Sequence, residues 1–230
     1  MGCGKSSVGR KLSELLCCRF MDLDSVIEAR EGRSIPEIFA SDGEAAFRLM
    51  ELESIRTILD DFCQVGLRKP CYPSGCRGRG PSLAMGGIVS VASPGRNPGN
   101  EMLILALGGG TVMTPECAEL VHDNTLCIYL RASLETLVRN LDGEAEGRPM
   151  LQPDRHSVRS DGPVVVPQSA EAGLTAKQLR ERIEGLMALR CSTYEKTAHV
   201  IIDTDGRSID TIAQKIMQKI TQVRRVRGDL

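Results

Sequence analysis

The 230-residue chain has no long apolar run. Its longest clear one, Met102 to Leu107, falls far short of the ~18 residues a membrane helix needs, so no membrane partner is expected. Neither sign of charge is in excess: 29 Lys and Arg face 30 Asp and Glu, for a formal net charge of −1. That balance argues against a sequence-independent grip on nucleic acid. A secretory leader is not expected either, because Lys5 and Arg10 lead into an amphipathic segment and not an apolar one. The expected compartment is the cytoplasm. Metal-binding pairs are missing too. No C-x-x-C occurs, and His122, His156 and His199 lie far from any paired cysteines. The nine cysteines, Cys3, Cys17, Cys18, Cys63, Cys71, Cys76, Cys117, Cys127 and Cys191, are odd in number and irregular in spacing. They are expected to be free thiols in a reducing cytosol, neither a disulfide framework nor a zinc site.

Acidic residues are absent from one whole region. Residues 64–100 hold eight Gly, five Pro and five Lys or Arg, but no Asp or Glu. Such a composition is not that of a packed helix or a central strand, and a structureless loop of that length is unusual inside a compact domain. The segment is expected to be a disordered Gly/Pro-rich insertion. A second irregular stretch, about Gln152 to Ala176 with Pro153, Pro163 and Pro167, is expected to be another. What remains is the size of one compact domain.

The remainder alternates between two periodicities. Helical patterns run over Ser6–Cys17, Asp24–Arg30, Phe47–Phe62, Pro115–His122, Ser133–Leu141, Leu179–Thr197 and Ser208–Arg224. In the long helix after Phe47, one side is expected to carry Leu49, Leu52, Ile55 and Leu59. Ser34-Ile35-Pro36-Glu37 has the form of a capping box with proline in the first turn. Met102–Leu107, Leu126–Leu130 and Val200–Asp203 read as strands, the first two as continuous apolar runs. Strands alternating with helices predict a three-layer α/β/α domain around a parallel sheet.

Six local signals carry chemistry. Gly2-Cys3-Gly4-Lys5-Ser6 matches the right-hand part of G-x-x-x-x-G-K-[ST], a loop whose backbone N–H groups converge on phosphate at a helix N-terminus. Taken alone it is equally a Gly-rich tail. Phe20-Met21-Asp22-Leu23-Asp24 places two acids at the end of a strand. They could hold a metal-bound water and accept a hydroxyl proton, or Asp24 could simply cap the helix from Ser25. Phe47-Arg48 follows Gly43 by a few residues, and a lone arginine on a helix is ordinarily solvated. Gly108-Gly109-Gly110 ends a buried strand, where ligands approach α/β sheets, although a plain turn would also use glycine. Arg148-Pro149-Met150-Leu151 reads as a loop, and Arg190 with Tyr194 lies late on a helix.

Their order is more specific than any one of them. Gly-x-Gly-Lys-Ser, Asp-x-Asp, Gly32 to Phe39, Gly43 to Arg48, the triple glycine, Arg-Pro-x-Leu and Arg-x-x-x-Tyr together closely resemble the shikimate kinase family. The resemblance covers roughly 1–63, 101–151 and 177–220. It implies a phosphate-loop kinase fold with a five-stranded parallel sheet, and ATP-dependent phosphorylation of the shikimate 3-hydroxyl in aromatic amino-acid biosynthesis. It also implies the cofactors ATP and Mg²⁺, shikimate as small-molecule partner, and a monomer. By motif match, Gly2, Cys3, Gly4, Lys5, Ser6 and Ser7 would serve ATP, while Ser6 and Asp22 would serve the metal. Asp24 would orient the substrate hydroxyls and act as base. Arg48 and Arg190 would clamp the shikimate carboxylate, and Gly109 would offer it a backbone N–H. Arg148 would close over the phosphates from a lid region, 148–178, and Arg139 would flank the adenine.

The chain departs from the family pattern. The first Gly of the phosphate loop and the strand that launches it would fall before Met1, and Ser192 stands where the family has proline. In the family that strand sits between the third and fourth, so two inner strand edges are expected to lie unpaired. The expected consequence is an unstable or inactive chain, or a start misplaced at an internal Met. Two other functions compete: an inactive kinase remnant, and another small-molecule kinase of the same fold, such as a gluconate-type enzyme.

Overall fold

The computed structural model describes residues 3–63, 85–92, 102–141 and 176–226. The first helix, α1 (Lys5–Leu16), starts from Gly4 at φ +77°, a left-handed conformation that favours glycine. Its stripe of Val8 and Leu12 is buried. The helix ends at Cys17, also left-handed, with the Cys18 N–H returning to Ser13 O at 3.0 Å. Strand β1 (Arg19–Asp22) and helix α2 (Leu23–Glu31) follow directly. Asp22, not Asp24, caps α2: its carboxylate accepts the Asp24 N–H at 3.2 Å. The cap falls there because α2 begins at Leu23, which places Asp24 inside the first turn.

Gly32 terminates α2 at φ +65°, and the capping box at Ser34 opens α3 (Ile35–Ser41), with the Ser34 N–H donating to Glu37 Oε2 at 2.7 Å. Helix α4 (Gly43–Cys63) begins four residues earlier than the apolar pattern predicts. Its buried face includes the expected Ile55 and Leu59, with Leu52 partly buried, but not Leu49. Leu49 is 63% exposed, and the face against the core runs through Phe47, Glu51, Ser54, Ile55, Ile58 and Leu59. Counting apolar residues alone misplaces Leu49, because two polar side chains lie within the stripe.

The sheet has five strands in the order β1-β3-β2-β4-β5. Strand β3 (Leu103–Ala106) pairs parallel with β1, and β4 (Leu126–Ala132) pairs parallel with β5 (Val200–Asp203). Between these parallel pairs lies β2 (Met85–Ala92), antiparallel to both neighbours, with Val89 opposite Ala106 on one side and Ile128 on the other. This corrects two expectations. Residues 85–92 of the Gly/Pro-rich region form a central strand, and the inner edges of β3 and β4 are paired. Composition averaged over 64–100 conceals an eight-residue run, Met-Gly-Gly-Ile-Val-Ser-Val-Ala, that is uncharged and holds three β-branched residues. The rest of 64–100 and residues 152–175 lie outside the described residues.

Helix α5 (Pro115–Asn124) and helix α7 (Ala176–Thr197) pack together against β4, and α7 also covers β2. Helix α1 packs on α8 (Ile209–Val226) and over β2 and β3. Helix α6 (Leu134–Leu141) lies against α7. All four residues of β3 and Leu126 to Leu130 of β4 are buried, as in a sheet covered on both faces. The loops after β1 and β3 therefore open beside the N-terminus of α1, at one end of the sheet.

Candidate active site

At that end, α1 presents the phosphate-loop residues. Ser6 Oγ donates to Asp22 Oδ2 at 2.5 Å, joining the first turn of α1 to the last residue of β1. A hydroxyl and a carboxylate side by side are hard oxygen donors. They suit a cation such as Mg²⁺, which keeps most of its waters and takes few protein ligands. Ser7 is exposed in the same turn and Cys3 is buried behind it. Gly2 lies outside the described residues.

Asp24 faces this turn from α2. Burial pushes its carboxyl above the ordinary carboxylate range; Lys5 opposes that rise, and the neighbouring Asp22 adds to it. Lys5 and Asp24 are thus electrostatic neighbours across the mouth of the site.

The triple glycine forms the floor. A side chain at Gly108 would place its first carbon 2.9 Å from each of Asp24 Oδ1, Glu51 Oε1 and Thr111 Oγ1. Only hydrogen fits there. A side chain at Gly110 would collide with the Arg48 guanidinium. At Gly108 and Gly110 glycine therefore makes room for the close approach of these side chains.

Two arginines flank this floor. Arg48 on α4 donates from Nη1 to Glu51 Oε2 at 2.6 Å and from Nη2 to Glu44 Oε1 at 2.7 Å. Burial works against its charge, but Glu51 and Glu44 outweigh it and hold the guanidinium more firmly protonated. Arg190 on α7 is 5% exposed and donates from Nη1 to Gly109 O at 3.1 Å. Tyr194, one turn later on α7, donates its hydroxyl to the same carbonyl oxygen.

Sequence reasoning missed Glu51. This carboxylate is fully buried, salt-bridged to Arg48, and accepts the Thr111 hydroxyl at 2.5 Å on its other oxygen. Burial raises its pKa, and Arg48 pulls it back down. One signal could have found it: Glu51 stands three residues after Arg48 and four after Phe47, on the face that Ile55 and Ile58 continue. An acid on a core face needs a partner.

Lys5, Ser6, Asp22, Asp24, Arg48, Gly109 and Arg190 thus come from five elements and the loop after β3. Arg139 does not join them. It is exposed on the last turn of α6, near Asp205, whose carboxyl is held down against burial chiefly by hydrogen bonds from Ser133 and Thr136 and least by Arg139. Arg148 lies outside the described residues. Among the described residues no helix is long and apolar enough to cross a membrane.

Known proteins are similar to this chain. The sequence profile of the family described as Shikimate kinase matches residues 1–65 and 98–221, leaving out the segment that contains β2. The shikimate kinase of Thermus thermophilus is 30% identical over 228 residues, covering 99% of this chain and 90% of its own. That of Chlorobium phaeobacteroides is 26% identical, with 99% and 91% covered. Among solved structures, the Acinetobacter baumannii shikimate kinase in complex with shikimate superposes with a TM-score of 0.66 at 24% identity, covering 96% of this chain and 89% of its own. The Aquifex aeolicus shikimate kinase gives 0.58 at 18%, covering 96% and 92%. With a profile match over most of its length and a phosphate-loop α/β fold to carry the matched motifs, the chain belongs to the shikimate kinase family.

Proposed function

We propose that the protein transfers the γ-phosphoryl group of ATP to the 3-hydroxyl of shikimate. One observation carries the choice of acceptor. Arg48 and Arg190, 142 positions apart in sequence, stand on either side of a glycine floor that ends opposite the Asp24 carboxyl. A pair of guanidiniums receives a carboxylate, and a carboxyl across the floor receives a hydroxyl. An acidic, polyhydroxylated ring of about that span satisfies both ends. The A. baumannii relative, which was solved with shikimate bound, supports the same assignment.

The roles follow from position. The α1 N-terminus and Lys5 bind and neutralise the β- and γ-phosphates. Ser6 and Asp22 would hold Mg²⁺, which when bound offsets phosphate charge. Asp24 orients the acceptor hydroxyl and takes its proton, a task favoured by a carboxyl pKa raised toward neutrality. Arg48 and Arg190 fix the far end of the substrate, so that the hydroxyl is aimed along the line to the γ-phosphorus. Two further roles rest on the motif match and not on position: Arg148 would stabilise the charge that develops in transfer, and Arg139 would flank the adenine.

The test is ADP release by the purified 230-residue chain, coupled to a spectroscopic readout, with Mg-ATP and either shikimate or gluconate. Shikimate-dependent turnover is expected, with gluconate at background. Turnover on gluconate would replace the substrate assignment. A folded protein that binds ATP and releases no ADP would favour the remnant.

A further inference from the structure

Glycine gives a peptide plane no steric guidance, so the orientation of each plane in Gly108–Gly110 depends on what its carbonyl is tied to. Each carbonyl is tied. Gly108 O accepts the Thr111 N–H at 3.3 Å, and Gly110 O accepts the Met113 N–H at 2.9 Å. Among the described residues Gly109 O is bound from α7, through Arg190 Nη1 at 3.1 Å and the Tyr194 hydroxyl. In a planar trans peptide the N–H points opposite to the C=O. Holding Gly109 O against α7 therefore turns the Gly110 N–H away from α7.

Tyr194 is placed to make this contact. It is 1% exposed, and its ring packs on Tyr129 with centroids 5.3 Å apart. Burial raises its hydroxyl to a pKa of about 12, although Arg190 pulls the other way, so it remains a donor at any working pH.

We propose that Tyr194 is a positioning residue for the substrate site. Its hydroxyl pins Gly109 O and so fixes the 109–110 peptide plane beside Arg190. The proposal rests on the shikimate reading above and adds a residue that touches neither substrate nor nucleotide.

The test compares Tyr194→Phe with Tyr129→Phe, which removes a hydroxyl from the same ring pair but none from Gly109. Tyr194→Phe is expected to raise the KM for shikimate about 5- to 10-fold, the value of one neutral hydrogen bond. The KM for ATP and the Tm should stay close to those of Tyr129→Phe. Amide exchange at Gly109 and Gly110, followed by NMR without ligand, should accelerate in Tyr194→Phe only. A second variant, with 4-aminophenylalanine at 194, retains the ring and a weaker donor and should give intermediate values. An unchanged shikimate KM with wild-type amide exchange would overturn the proposal. If the wild type does not turn over shikimate, the substrate assignment fails. The amide exchange then decides the positioning role by itself: faster exchange supports it, and unchanged exchange overturns it.

Discussion

At the scale of single residues, the site is held together by carboxylates that folding places at a disadvantage. Asp24 carries a carboxyl pKa raised mainly by burial. A carboxyl raised on folding binds its proton more tightly in the native chain than in the unfolded one. Stability is then greatest below the unfolded value and falls as pH climbs through the native one. Asp24→Asn removes that titration. Its Tm should exceed the wild type's at pH 7, by about 2–4 °C for each ~1 kcal/mol relieved, and the gain should vanish near pH 3, where both states are protonated. Its kcat/KM should fall by about 10²–10⁴. Thermal unfolding at the two pH values and the ADP assay check both halves. A variant that is less stable at pH 7 would mean that the Lys5 attraction outweighs burial. Glu51 behaves differently, because it is paired. Glu51→Ala leaves the buried Thr111 hydroxyl without its acceptor and the partly buried Arg48 with Glu44 alone, a loss of up to about 3–5 kcal/mol if the pair behaves as a fully buried one. The expected outcome is a large loss of Tm with a raised shikimate KM and a nearly unchanged ATP KM. Glu51 was not legible as a functional residue because a helix face is read from its apolar members. Arg48 and Arg190 were legible because motif order, not local pattern, singled them out.

At the scale of elements, the helices could be read nearly to their ends. Capping boxes, glycine stops and apolar stripes are local signals, and α3 and α5 follow from them directly. The buried strands β3 and β4 were equally plain as uninterrupted apolar runs. Strand β2 was not, because its neighbours in sequence are Gly, Pro and basic residues, and its pairing partners lie elsewhere in the chain. Register between β2, β3 and β4 is a tertiary property. It predicts a specific sensitivity. Val89 sits mid-strand between Ala106 and Ile128, so Val89→Pro deletes a backbone donor inside a central strand, a place proline does not occupy. Each orphaned buried group costs about 1–3 kcal/mol out of about 5–15 in a domain, and the ring also obstructs pairing. Val89→Pro should therefore lose the cooperative unfolding transition by circular dichroism, whereas Val89→Ile, which keeps the donor, should retain it. Normal unfolding of the proline variant would show that β2 is dispensable to the sheet, in keeping with its absence from the family profile.

At the scale of the molecule, the two halves of the site belong to different parts of the chain. The phosphate end comes from α1 and β1 and the carboxylate end from α4 and α7, while the glycine floor after β3 lies between them. No single element holds both arginines, so a ligand that spans them ties α4 to α7 across that floor. Linkage gives the consequence. A ligand that binds only the native chain stabilises it by about 2.7 kcal/mol at a hundredfold excess over Kd, and at about 2–4 °C per kcal/mol this raises Tm by roughly 5–10 °C. Shikimate without nucleotide should produce a shift of that order, and gluconate should not. In Arg48→Ala one end of the clamp is gone, and a bidentate charge-assisted contact is worth roughly 1.5–3 kcal/mol. The Kd should then rise about 10- to 100-fold, and the shift at the same shikimate concentration should fall to between about a half and about a sixth of the wild type's. The shift given by Mg-ATP should survive, because the residues facing phosphate lie on α1 and β1. A fall in both shifts together would mean that Arg48 supports the whole end of the sheet through Glu51. A fall in the shikimate shift alone would mean that the two half-sites are energetically separate, each formed by its own elements and joined only when both substrates are bound.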